Sequence, residues 1–197
     1  MKKNNTKQEI LSVALDLFSS RGYEATSMSQ IAEAVNIKKA SLYAHYESKQ
    51  AILDALIETI TKQYDNKSLF SNNDFSKLDS AAEFSELVFK QIDYIINNPQ
   101  VRKIRKLFMI EQFRNSELAS LCNKYTYENV LNYGIELCEH LIKNGVFVNE
   151  DSTIMSSELM FPISMWIFSC DRQPQRQEEV MKLVDKHIKQ FYKMYKK

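Results

Sequence analysis

At 197 residues, with 44% hydrophobic and 26% charged side chains, the chain can bury a sizeable core, which excludes a disordered or collagen-like polymer. Its 26 basic and 25 acidic residues leave a formal charge of +1, so any signal for nucleic acid must be local. Cys122, Cys138 and Cys170 form no C-x-x-C pair, which fits buried thiols in a reducing cytoplasm.

The basic opening, MKKNNTKQEI, is not followed by an apolar run, so no secretion signal is expected. Ile10, Leu11, Ala14, Leu17 and Phe18 recur at helical spacing, with Thr6 as the expected cap and Gly22 as the stop. A helical pattern follows from about Ser48 to Tyr64. The polar stretch Asp65 to Lys77, DNKSLFSNNDFSK, then reads as a connection. The expected division is a small N-terminal helical unit with its connecting helix over 1–64 and a larger helical body over 65–197.

Amphipathic faces recur from Ala81 to Ile96, Val101 to Phe113, Leu118 to Ile142, Ser152 to Cys170 and Glu178 to Tyr195. Only three glycines and three prolines punctuate the chain, and no segment alternates with period two for long, so an all-α fold is expected. The most apolar run, Leu159 to Phe168, has ten residues. That is about half of the roughly 20 a membrane-spanning helix needs.

The segment Thr26 to Leu53, TSMSQIAEAVNIKKASLYAHYESKQAIL, sets two short helical patterns almost end to end. Ser27 can cap the first, whose inner face is Met28, Ile31, Ala32 and Val35. Asn36 tolerates the left-handed backbone of a sharp turn, and Ile37 can pack back on the preceding helix. In the second helix Leu42 and Tyr46 point inward, which leaves Lys38, Lys39, Ala40, Ser41, Tyr43 and Ala44 on the outer surface. Small side chains, hydroxyls and cations on an otherwise bare helix suit a helix-turn-helix entering a major groove. Between Lys38 and Lys49 three lysines face a single acidic residue, Glu47, a local excess that favours phosphate.

Gly22-Tyr23, Thr26-Ser27, Ile31-Ala32, Asn36-Ile37, Ser41-Leu42-Tyr43, His45-Tyr46 and Ser48-Lys49 together resemble, in order and spacing, the N-terminal signature of the tetracycline-repressor (TetR) family of bacterial transcriptional regulators. The resemblance covers roughly residues 7–55. It implies a three-helix DNA-binding head, a long fourth helix, and a divergent helical body that dimerises and binds a small-molecule inducer. It further implies phosphate contacts from Ser27 and Lys49, backbone contacts from Tyr43 and His45, and a base-facing surface of Lys39, Ala40 and Ser41, with Lys38 beside them. The chain departs from the family pattern at Asn36 and Ala40, where glycine (or, at Ala40, proline) is common, and at Ala44, where a larger residue is usual.

No phosphate-binding loop, nucleophile elbow or H-E-x-x-H motif occurs, and His45, His140 and His187 lie far apart, so neither an enzyme, a metal site nor a cofactor is expected. The expectation is a cytoplasmic homodimeric repressor released from operator DNA by a small hydrophobic effector, with no membrane partner. A ligand-independent DNA-binding protein, such as a division-linked or nucleoid factor, is the alternative. Candidate pocket residues are Phe84, Phe108, Glu111, Phe113, Glu158, Met160, Met165 and Trp166, the two carboxylates being of interest because each interrupts an apolar stretch. The apolar stripe Val180, Leu183, Val184, His187, Ile188, Phe191 and Tyr192 is the candidate dimer interface, paired with the run from Ser156 to Phe168.

Overall fold

The computed structural model describes residues 2–66, 75, 78 and 80–197. Among these, the structure is helical: α1 (Lys2–Arg21), α2 (Met28–Ala34), α3 (Lys39–His45), α4 (Lys49–Asn66), α5 (Ala81–Asn97), α6 (Pro99–Glu111), α7 (Ser116–Asn123), α8 (Asn129–Lys143), α9 (Ser152–Arg172) and α10 (Gln177–Tyr195). Extended pairing among the described residues is limited to an isolated bridge between Phe147 and Lys196. Most of the expected connection from Asp65 to Lys77 lies outside the described residues.

The chain forms two compact units, Met1–Ser68 with Lys103–Cys122, and Leu69–Arg102 with Asn123–Lys197. The first unit thus takes in a later stretch that a single cut near residue 64 leaves out. Its core joins Ile10, Ala14, Leu15 and Phe18 of α1 to Ile31 and Ala32 of α2, Leu42 of α3, and Ile52, Leu53 and Leu56 of α4. α1 begins at Lys2, so Thr6 lies inside the helix and is not its cap. Gly22 ends the helix at φ +88°, its N–H donating to the Phe18 carbonyl at 3.0 Å.

The second unit packs α5, α8, α9 and α10 around Phe84, Val88, Tyr133, Leu137, Phe147, Leu159, Ile163, Val184 and Phe191. Asp151 caps α9 by accepting from the N–H groups of Thr153 and Ile154 at 2.8 and 3.1 Å. Pro162 sits inside this helix, where it cannot supply the usual N–H to the preceding turn. α8 and α9 approach closely at Gly134, which lies opposite Ser156. The expected helix from Leu118 to Ile142 is instead two helices joined by a π turn, Lys124–Glu128. The wider turn buries Tyr125 and leaves Tyr127 outside, stacked on Phe161 with centroids 5.5 Å apart.

None of the three cysteines is in a disulfide and all are buried, and burial pushes the Cys138 thiol up to about 12. The folded protein is therefore expected to show no fast-reacting thiol toward a disulfide reagent at pH 8, and three once denaturant is added. A prompt stoichiometric reaction of the native protein would contradict the buried placement.

Candidate nucleic-acid interface

The candidate interface is built by two backbone devices. Ser27 forms a reciprocal cap on α2: its Oγ accepts the Gln30 N–H at 3.3 Å, and its own N–H donates to Gln30 Oε1 at 2.8 Å. At the other end Asn36 takes φ +57°, its N–H donating to the Glu33 carbonyl and the Ile37 N–H to the Ala32 carbonyl at 2.9 Å. This is a Schellman turn with asparagine in the left-handed position that glycine otherwise fills. It stops α2 and redirects the chain into α3 within a few residues.

Within α3, Leu42 is fully buried against the unit's core, which fixes the rotation of the helix. Lys38, Lys39, Ala40 and Ser41 are consequently exposed, together with Ala44 and with Tyr43 at 45% exposure. His45 and Tyr46 are half-buried, and Lys7 places its ammonium 5.4 Å from the centroid of the Tyr46 ring. The Nδ1 atom of His45 is enclosed without a hydrogen-bond partner, so any donation from this ring to a phosphate must come from Nε2.

Lys49 differs from the surface lysines. Its ammonium donates to the Tyr23 carbonyl at 2.7 Å and lies 4.1 Å from the centroid of the Tyr23 ring. Tyr23, whose hydroxyl donates to Gln50 Oε1 at 3.0 Å, has its pKa raised by burial and then by the nearby charges of Glu24, Asp54 and Glu111. Ser48 caps α4 through its Oγ, which accepts the Ala51 N–H at 3.0 Å. Tyr23 and Ser48 stand out in the sequence only as parts of a motif; the Ser48 cap is local, whereas Tyr23 finds Glu111 across 88 residues.

The candidate pocket residues are distributed over the two units. Phe108 and Glu111 are buried in the first unit, while Phe113, in the same unit, is 90% exposed. In the second unit Phe84 is core, against Phe147, Phe191 and Tyr192, and Met160 is also buried. Met165 is exposed and Trp166 half-buried, its ring perpendicular to that of His187 at 5.4 Å. Of the two carboxylates, Glu111 accepts the Tyr23 N–H at 2.8 Å, and Glu158 is exposed and accepts the Tyr195 hydroxyl.

The candidate dimer stripe is likewise divided. Val180, Val184, Ile188 and Phe191 are spent inside the second unit's own core. Leu183, His187 and Tyr192 are half-buried, His187 being tied through Nε2 to the Leu159 carbonyl at 3.0 Å. A helix with one strongly apolar face satisfies that face within its own chain first.

Among the described residues, no group of three potential ligands could hold a metal ion, and no helix is long and apolar enough to cross a membrane. The arrangement defines a helix-turn-helix protein with a helical body. Residues 10–56 match the family model of bacterial regulatory proteins of the tetR family. The biofilm operon icaADBC HTH-type negative transcriptional regulator IcaR of Staphylococcus epidermidis is 31% identical over 112 residues, 57% of this chain and 58% of that protein. The match therefore spans little more than half the length of that relative. A TetR-family transcriptional regulator from Mesorhizobium loti MAFF303099 superposes over 100% of both chains with a TM-score of 0.69 at 18% identity. SmeT, the repressor of the Stenotrophomonas maltophilia multidrug efflux pump SmeDEF, covers 97% of this chain and 90% of its own with a TM-score of 0.66 at 14% identity. At such identities the likeness establishes the fold alone. IcaR is named as a helix-turn-helix negative transcriptional regulator and SmeT as a repressor.

Proposed function

We propose that the chain is a cytoplasmic transcriptional repressor that binds operator DNA as a homodimer and is released by a small hydrophobic effector. The observation that carries the DNA-binding part is the outer face of α3, where the burial of Leu42 leaves Lys38, Lys39, Ala40, Ser41 and Tyr43 clear of the fold. The sign of regulation follows the names of IcaR, a negative regulator, and SmeT, a repressor. Induction by a hydrophobic compound is supported by the complex of SmeT with triclosan, the effector acting through its different affinities for two conformations of the dimer.

The test is binding of the full-length protein to promoter fragments from its own genome, beginning with those beside its coding sequence. Affinity should fall steeply with salt, with a log–log slope of about −0.9 per phosphate contacted. Lys38→Ala should weaken binding to every sequence and flatten that slope by about one unit, because a lysine contact to phosphate positions without reading bases. Promoter fragments that bind no better than random DNA at physiological salt would overturn this function.

A further inference from the structure

Tyr23 is held on both sides of its peptide. Its N–H donates to Glu111 Oε1 at 2.8 Å, a contact 88 residues away in sequence, between the loop after α1 and the last residue of α6. Its carbonyl accepts the Lys49 ammonium at 2.7 Å and the Thr26 N–H at 3.2 Å. Thr26 in turn donates its hydroxyl to the Gly22 carbonyl at 2.9 Å. One peptide thereby fixes the start of α4 and the chain that leads into α2.

Glu111 is only 2% exposed, and the Tyr23 N–H is its side chain's one hydrogen-bond donor among the described residues. A carboxylate removed from water to this degree is costly unless a donor compensates it, so the cost of leaving it unpaired strongly disfavours separation of the two groups. The approach also depends on Gly22: a Cβ there would meet Glu111 Oε1 at 3.2 Å, and its φ of +88° is itself a glycine conformation. α6 begins at Pro99, in the second compact unit, and ends at Glu111, in the first. Within the first unit α6 is tied to α1 as well, by the ion pair of Lys103 with Asp16.

We propose that Glu111 is a positioning residue for DNA binding, which acts from the end of α6 by holding the Tyr23 peptide against Lys49 and so sets α2 and α4 in register. This rests on the DNA-binding function above and deepens it. Lys49 then works through the Tyr23 carbonyl and not as a free phosphate ligand.

The experiment compares full-length wild type with Glu111→Gln, which keeps an acceptor at the same reach, and Glu111→Asp, which keeps the charge but is one methylene too short. Exchange of the Tyr23 amide with deuterated water is followed alongside promoter binding across a salt series. The Gln variant should bind within about threefold of wild type, while the Asp variant should lose about tenfold or more at an unchanged salt slope, since no phosphate contact is removed. The Tyr23 amide should exchange slowly in wild type and Gln, and fast in Asp. An Asp variant that binds like wild type while wild type still binds its promoter would overturn this proposal alone, as would a Tyr23 amide that exchanges freely in the wild-type protein. A protected Tyr23 amide in a wild type that binds no promoter would overturn the DNA-binding function, and the positioning role with it.

Discussion

Replacing Gly134 by alanine is expected to be among the most destabilising single-methyl additions in the protein. A Cβ at this position would lie 2.2 Å from Ser156 Oγ, 3.0 Å from Ser156 Cβ and 3.0 Å from Met160 Cγ. Ser156 has no room to yield: it is fully buried, and its hydroxyl donates to the Leu131 carbonyl at 2.7 Å. Alanine would return up to about 1 kcal/mol of helix propensity. Against that, overpacking costs about 1–3 kcal/mol and displacing the serine forfeits a buried hydrogen bond worth about 1 kcal/mol. The net loss of about 1–3 kcal/mol corresponds to a fall in Tm of about 2–12 °C for a chain of this size. The check is a swap: Ser156→Gly in the Gly134→Ala background removes both close serine atoms and should restore part of the stability. Because the two residues touch, their effects should be strongly non-additive. Additive losses in thermal melts would mean that α8 and α9 are not in contact at this point.

Met165→Arg is expected to convert the proposed homodimer to a monomer and to remove high-affinity operator binding. The inward face of α9 is closed by Met155, Leu159, Ile163 and Ile167, all buried. The same helix carries a second apolar stripe outward, Ile154 at 56% and Met165 at 58% exposure, with half-buried Phe161 between them and Tyr127 stacked upon it. An apolar stripe calls for cover, and among the described residues Ile154 and Met165 stay exposed. A second copy related by a two-fold axis would cover it. Because Met165 is exposed within the chain, arginine there should leave the melting of the monomer nearly unchanged while placing a charge in the contact. Two linked heads bind two half-sites with an effective-concentration advantage of about 10²–10⁴, and that factor should disappear with the dimer. Sedimentation at micromolar concentration and a promoter titration read the two effects together. A variant that still sediments as a dimer would move the interface away from α9.

Much of the head was legible because its determinants are local. Ser27 with Gln30, Asn36 at the turn and Leu42 as the buried residue of α3 lie within a few residues of what they control, so short-range rules for caps, turns and periodicity suffice. The all-α class followed for the same reason, from spacing and from the scarcity of glycine and proline. What periodicity could not supply was the partner of each apolar or charged face. The stripe of α10 looked like an interface because a strongly amphipathic helix demands cover, but the sequence does not say whether that cover comes from the same chain. The tertiary structure placed Val180, Val184, Ile188 and Phe191 against α5 and α9 and left the outward stripe to α9. Glu111 likewise stood out in the sequence as a carboxylate within an apolar run, which marks a need for a partner without naming one. Only the fold could bring it to the Tyr23 N–H across 88 residues, because a buried charge takes whichever donor the packing delivers.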